Sequence, residues 1–425
     1  MRIGIAEGNI NPANLPVELS GYGYFLGHMA TSIETDLTAS VVTLEDPDGT
    51  RAALCGVDTI SVTQDTVAKI KSDVDKLSGG EFADTTLIVN ASHTHSGPAA
   101  YPLIGAGGYN AGYVDNVLVP RLASSIIRSF QDAAEGEIGI ARTILDGASY
   151  NRADNAQIDT RVTAIRIETE RAYAGGIHFP CHPVVYGRNS DVISSDYPGY
   201  ARSTLKERTG TDAELWLTGC CGNVNPESIR TRQHQTTRAD VESLGNAIGE
   251  KAAGLLPQIV AADGALRTQE TTVDLPVNTD FELDPAKEVE IFRAVRRLAK
   301  DQDLSPVKRW FEAVAPAVNE NEEKSLVIPV AMVAIGGLVF AGFGAEPYSQ
   351  TGLAIEQAHP QLQIVTMGTT NSNKGYIPTR DEYDRHSYGA RSSSFIFGRK
   401  PLAAQSEEVF RHSVNAALAN WLATA

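Results

Sequence analysis

Residues 87–98 read LIVNASHTHSGP. An apolar run suited to a buried strand stops at two histidines, His93 and His95, one residue apart. Side chains alternate along an extended backbone, so both imidazoles are expected on one side, a metal-site geometry. Gly97 and Pro98 end the strand, which puts the pair at a strand's carboxyl end, where open α/β sheets keep their ligand sites. Upstream, Val67, Ile70, Val74 and Leu77 recur at helical spacing from Gln64, with Gly79 and Gly80 as a stop. Before them, residues 40–44 and 51–57 read as strands around the turn Asp46-Pro47-Asp48-Gly49, a hairpin. Strand, helix, histidine strand is a βαβ unit.

Further along, residues 117–134 read as a helix and residues 162–167 and 175–179 as strands, the second running into Cys181-His182-Pro183. Residues 215–217 form a short strand entering Gly219-Cys220-Cys221-Gly222, and residues 239–256 a helix. Residues 280–323 are charged, with a helical pattern over 285–298; they read as an excursion between two strand-rich parts. Strands at 326–335 and 338–343 then lead to Glu346-Pro347, and one at 363–367 leads into TTNSNKGYIPTRDEY. An amphipathic helix over 403–422 follows, and no fixed-period repeat or low-complexity tract is visible.

The 425 residues carry a formal net charge of -16 and no long lysine or arginine cluster, which argues against nucleic acid or an anionic membrane as the main partner. The four cysteines, Cys55, Cys181, Cys220 and Cys221, match no zinc-finger spacing and read as reduced thiols. The opening MRIGIAEGNI lacks signal-peptide features and no later run reaches membrane-spanning length, so a cytoplasmic protein without membrane insertion is expected.

Loops after predicted strands therefore carry His93 with His95, His182, Glu346, and Tyr376, and this recurrence points to one shared site. A catalytic zinc takes about three nitrogen or oxygen protein ligands and keeps an open position. His, His and Glu supply such a set. Imidazole disfavours magnesium, so Zn2+ is the expected cofactor, although manganese, iron or nickel suit the same ligands.

SHTHSGP at 92–98 resembles the signature of the neutral/alkaline non-lysosomal ceramidase family. Asn151-Arg152 resembles that family's NR pair, and His182 in HFPCHPV its second metal histidine. Ser195-Asp196 through Gly199 resembles the loop that follows, and GCCGNVNP at 219–226 its GDVSPN-type loop. Glu346 in GAEP resembles its metal-binding glutamate, and Tyr376 with Tyr388 in GYIPTRDEYDRHSYG its tyrosine pair. The order holds over nearly the whole chain.

The resemblance implies a zinc hydrolase of amides, with His93, His182, Glu346 and Tyr376 holding the metal. His95, Arg152 and Tyr388 would then be the catalytic polar groups around the scissile carbonyl, and a metal-bound water the nucleophile. Geometry alone lets His93 and His95 share one ion; the family pattern gives the metal only to the first. Asn225 stands where the family has serine and Asn223 where it has aspartate, so a serine nucleophile cannot operate here, and Asn225 is expected as a substrate-binding residue. The chain ends about where the family's catalytic region ends, with no immunoglobulin-like carboxyl-terminal domain expected.

The expected fold is α/β, mixed β-sheets flanked by helices, in a single large catalytic domain over residues 1–425. The expected substrate is a small soluble N-acyl amide and not ceramide itself. An ester or lactone hydrolase with the same metal, and a non-catalytic metal-binding module, are the alternatives. An amidohydrolase barrel also uses HxH, but residues 280–323 break the rhythm of eight βα units.

Overall fold

The computed structural model describes residues 1–22, 27–154, 156–231 and 235–423. The hairpin and βαβ unit form as their sequence dictates: Thr38–Glu45 (β2) and Arg51–Val57 (β3) pair antiparallel, then Gln64–Ser78 (α1) crosses to Thr86–Ala91 (β4), parallel to β3. The Thr63 hydroxyl accepts from the Thr66 amide at 2.9 Å to open α1, and Gly79 closes it in the left-handed region at φ 66°, which glycine alone adopts freely. β2 also pairs antiparallel with the amino-terminal strand Arg2–Asn9 (β1).

Four further strands complete an eight-stranded mixed sheet of order β8-β7-β6-β5-β1-β2-β3-β4: Ala134–Ile144 (β5), Arg161–Thr169 (β6), Tyr173–Phe179 (β7) and Ala213–Thr218 (β8). A second sheet, β9-β10-β11-β12, comprises Leu266–Pro276, Ser325–Ile335, Leu338–Phe343 and Gln363–Met367. The two sheets face each other across a core that includes Ile3, Leu54, Ile88, Leu217, Val333, Phe340 and Met367. Outer faces are covered by α1 and Val119–Gln131 (α2), by Tyr197–Thr209 (α3) and Arg238–Leu255 (α4), and on the second sheet by Ser349–Ala358 (α7) and Ser406–Ala423 (α8). Both faces of β3, β4, β8 and β11 are thus buried, which explains their near-continuous apolar sequences.

The larger sheet curls until its two edge strands meet. Gly56 lies so close to β8 that a Cβ there would sit 2.2 Å from the Trp216 carbonyl oxygen. Asn90, buried near the end of β4, accepts from the Thr218 amide at 2.7 Å and donates to the Gly368 carbonyl at 2.7 Å. That one side chain ties together the carboxyl ends of β4, β8 and β12. The remaining edge of β4 is closed by Asn371, which accepts from the Val89 amide at 2.8 Å and donates to the Leu87 carbonyl at 2.7 Å.

Three expectations need correction. β4 stops at Ala91, two residues before His93, and His93 has φ 69°, so the histidines occupy a turn and not an extended tip. Pairing with the second sheet's loops ends the strand there: the Ala91 amide donates to Thr369, and the His93 amide turns back to Thr59. The expected helix over 117–134 is a π-helical turn, Val114–Leu118, followed by α2, and Ala134 already belongs to β5. The charged excursion holds two helices, Pro285–Val295 (α5) and Ser305–Asn319 (α6), with their own small core around Phe281, Phe311 and Phe395.

His178 in β7 lies between the sheets, one ring nitrogen 2.9 Å from the Thr366 carbonyl and the other without a partner. Burial pulls its pKa down to about 4, so the folded protein keeps it neutral. Unfolded, it takes a proton near pH 6.5, and stability is therefore lost as pH falls from there toward 4. His178→Gln should remove ~2 kcal/mol of the loss between pH 7 and pH 5. Denaturant titrations at the two pH values check this; an unchanged slope would assign the acid sensitivity elsewhere.

Candidate metal centre

Each loop that follows a converging strand delivers one group. His93 follows β4, His182 follows β7 and Glu346 follows β11, and their ligand atoms lie within 4.8 Å of one another. The Glu346 Oε2 is 3.4 Å from His93 Nε2 and 3.3 Å from His182 Nε2. All three residues are buried. Backbone carbonyls orient both rings: His93 Nδ1 is 2.7 Å from the Ile60 oxygen and His182 Nδ1 2.8 Å from the Cys221 oxygen. A carbonyl only accepts, so each Nδ1 carries the proton and each Nε2 offers a lone pair. Asn373 Nδ2 donates to Glu346 Oε1 at 2.8 Å and leaves Oε2 without a hydrogen-bond partner.

Three buried acceptors therefore point at one place with no proton between them. Such an arrangement is repulsive unless a cation fills it, and a His2Glu set suits a divalent ion with an open position. Burial, with Arg152 nearby, pulls His182 down to about 4, which keeps its ring neutral and free to ligate.

Tyr376 follows β12, and Glu346–Pro347 pairs in parallel with Tyr376–Ile377, setting Glu346 directly opposite Tyr376. The Tyr376 hydroxyl lies 3.3 Å from His182 Nε2 and accepts from Arg152 at 2.9 Å. Burial holds this phenol well above its usual pKa against the pull of Arg152, so it is a neutral, weak ligand. Arg152 also donates to the Gly222 carbonyl at 2.8 Å, and the same Nη2 lies 3.4 Å from His182 Nε2. His95 lies beside His93, ring centroids 5.1 Å apart, and neither of its nitrogens has a hydrogen-bond partner among the described residues. Burial, then the neighbouring histidines, hold it well below its usual pKa. Gly21, at φ 113°, leaves room for that ring; a Cβ there would come within 2.4 Å of His95 Nδ1.

A cleft opens over the centre, walled by His93, His95, Glu346, Tyr376 and Tyr388, with Tyr101, Leu103 and Phe397 as apolar sides. Tyr388 packs 5.6 Å from the Tyr376 ring. Asn225 is placed otherwise: it pairs with Tyr150 in the short ladder Val224–Pro226 with Ser149–Asn151, outside this wall, while the adjacent Val224 carbonyl accepts from the His182 amide at 3.0 Å.

Sequence reasoning missed Asn373 and the two orienting carbonyls. The GCCG loop was visible as special, but its role through Cys221 is carried by a main-chain oxygen that any residue supplies. The excursion's role was also hidden. Trp310 Nε1 donates to the Ile104 carbonyl at 3.0 Å, and Arg391 pairs with the buried Glu288, so α5 and α6 brace two of the loops that wall the cavity.

Mixed sheets that bring two histidines and a glutamate to one buried point define an α/β fold built around a candidate divalent-cation site. The neutral/alkaline non-lysosomal ceramidase N-terminal family matches residues 1–219. The chain belongs to this family. Neutral ceramidase of Mycobacterium tuberculosis is 24% identical over 415 residues, covering 78% of this chain and 64% of the relative. Neutral ceramidase A of Dictyostelium discoideum is 21% identical over 241 residues, 51% of this chain and 33% of that protein. The chain therefore spans less than two thirds of either relative. The crystal structure of neutral ceramidase from Pseudomonas aeruginosa superposes with a TM-score of 0.75 at 19% identity, covering 97% of this chain and 73% of that one. A ceramidase complexed with C2 gives 0.74 at 18% identity with the same coverage. Both likenesses are of fold. Among the described residues no helix is long and apolar enough to cross a membrane, and all four cysteines are free and buried.

Proposed function

We propose that this protein is a zinc-dependent amidase that cleaves the C–N bond of a small, soluble N-acyl substrate. The observation that carries this reading is the convergence of two proton-free Nε2 atoms and an unpartnered carboxylate oxygen beneath a walled cavity. His93, His182 and Glu346 would hold a zinc ion, which would supply Lewis acidity and a nucleophile near neutral pH.

The chain's own groups do the rest. Tyr376 and Tyr388 face the cavity as neutral donors, suited to a carbonyl oxygen that gains charge. Arg152 keeps its proton and polarises Tyr376 through their 2.9 Å bond. His95, neutral and unpartnered, is placed to bind the carbonyl oxygen or to carry the proton that the leaving nitrogen needs. Tyr101, Leu103 and Phe397 exclude water from one side of the reacting centre.

Elemental analysis of the purified protein, combined with matched amide and ester substrates of one acyl group, tests the proposal. About one zinc per chain and turnover of the amide are expected. Ester turnover alone would favour the esterase reading, and metal without turnover of either a binding module. Tyr376→Phe should retain the ion and lose activity; loss of the ion instead would promote the phenol to a ligand.

A further inference from the structure

A second pocket, with about 410 Å³ of empty space, adjoins the metal-site cavity and shares Tyr376 with it. Its charge runs against the chain's. Lys374, Arg399 and Lys400 line it, opposed by one acidic residue, Glu323, in a protein of net charge -16. Arg399 takes part in no ion pair among the described residues: its side chain donates one bond, to the Lys374 carbonyl at 2.9 Å, and lies 4.7 Å over the Phe397 ring. The Lys374 ammonium, half-buried in the same pocket, also lacks an ion-pair partner among the described residues. A half-buried phenol, Tyr383, lines the same pocket, its enclosed hydroxyl without a hydrogen-bond partner among the described residues.

Two half-buried cations side by side, with Glu323 as the one carboxylate in the pocket to offset them, are costly, since each raises the other's desolvation problem. With one face of the guanidinium stacked on Phe397, the remaining N–H groups fan out in its plane, a fork that matches a carboxylate or phosphate. We infer that this pocket is a binding site for an oxyanion, carboxylate or phosphate, held by Arg399 and Lys374 with Tyr383 as a third donor. The site communicates with the metal centre over one side chain. Phe397, under Arg399, walls the catalytic cavity, and Asn373, which holds Glu346, precedes Lys374.

The test is titration of the metal-loaded protein with inorganic phosphate at ionic strength held constant with sodium chloride, read by calorimetry and by the thermal midpoint. Saturable binding and a rising midpoint are expected. Arg399→Gln and Lys374→Met should each weaken phosphate at least tenfold while their own midpoints without phosphate are no lower than the parent's, because like-charge repulsion is relieved. Lys251→Gln, an exposed cation on α4, should bind as the parent does. If Arg399→Gln does not fold, Lys374→Met carries the comparison. Absence of saturable binding overturns the inference, as does phosphate binding that survives in both variants, which would put the anion on the metal.

The source of the oxyanion is read from kinetics, an arm that rests on the amidase reading. Two N-acyl substrates are compared, one with a carboxylate on its amine part and one with a neutral amide there. A tenfold or greater rise in KM for the charged substrate alone in Arg399→Gln puts the oxyanion on the substrate. Phosphate-dependent rates with both substrates, lost in the variants, make it a free effector.

Discussion

Replacing Glu346 with alanine is expected to empty the metal centre. Its Oε2 is the one anionic atom in the cluster, 3.4 Å and 3.3 Å from the two ring nitrogens, and without it two neutral imidazoles remain. Loss of one of three ligands removes most of the chelate effect, so metal content after gel filtration should fall below about a tenth of the parent's, with amidase activity below detection. His93→Ala and His182→Ala should behave alike. Asn373→Ala should be milder, weakening the metal by roughly 10–100-fold, because it frees Glu346 to rotate without removing a ligand. Full metal occupancy in Glu346→Ala would strike that residue from the set.

His95→Ala should give the opposite pattern: full metal, with turnover lower by about 10²–10⁴. His95 sits 5.1 Å from His93, ring to ring, yet both its nitrogens lack a partner and neither joins the three converging atoms. His95→Gln separates its two conceivable tasks, since the amide still donates a hydrogen bond but cannot titrate. Substantial recovery in Gln assigns His95 to the carbonyl oxygen; none assigns it to the proton. Metal loss from His95→Ala would instead make the HxH pair a chelate.

Much of the site was legible because its groups follow short apolar strands that end in loops of unusual composition. His93, His182, Glu346 and Tyr376 each stand a few residues past such a strand, and side-chain chemistry advertises them. Where the sequence misled, a long-range partner decided. The strand at 87–91 carries alternation on into the histidines, and only its pairing with residues 369–371 ends it at Ala91. Asn373 looks like any loop asparagine, and the carbonyls of Ile60 and Cys221 leave no mark at all in the residue types. The curl that joins β4 to β8 is written only in Gly56 and Asn90, one an absence of side chain and the other a buried amide.

That curl also sets a schedule. Asn90 bonds to Gly368, 278 positions further along the chain, and the ligand cluster needs Glu346 as well as His93. At ribosomal rates His93 emerges on the order of tens of seconds before Glu346 is made. During that interval the nascent chain presents bare imidazoles without their carboxylate, so an ion that needs all three residues would load only after Glu346 is made. Fragments broken off before residue 346 carry at most two of the three residues, which would make retention of a metal a chemical report that translation passed this point.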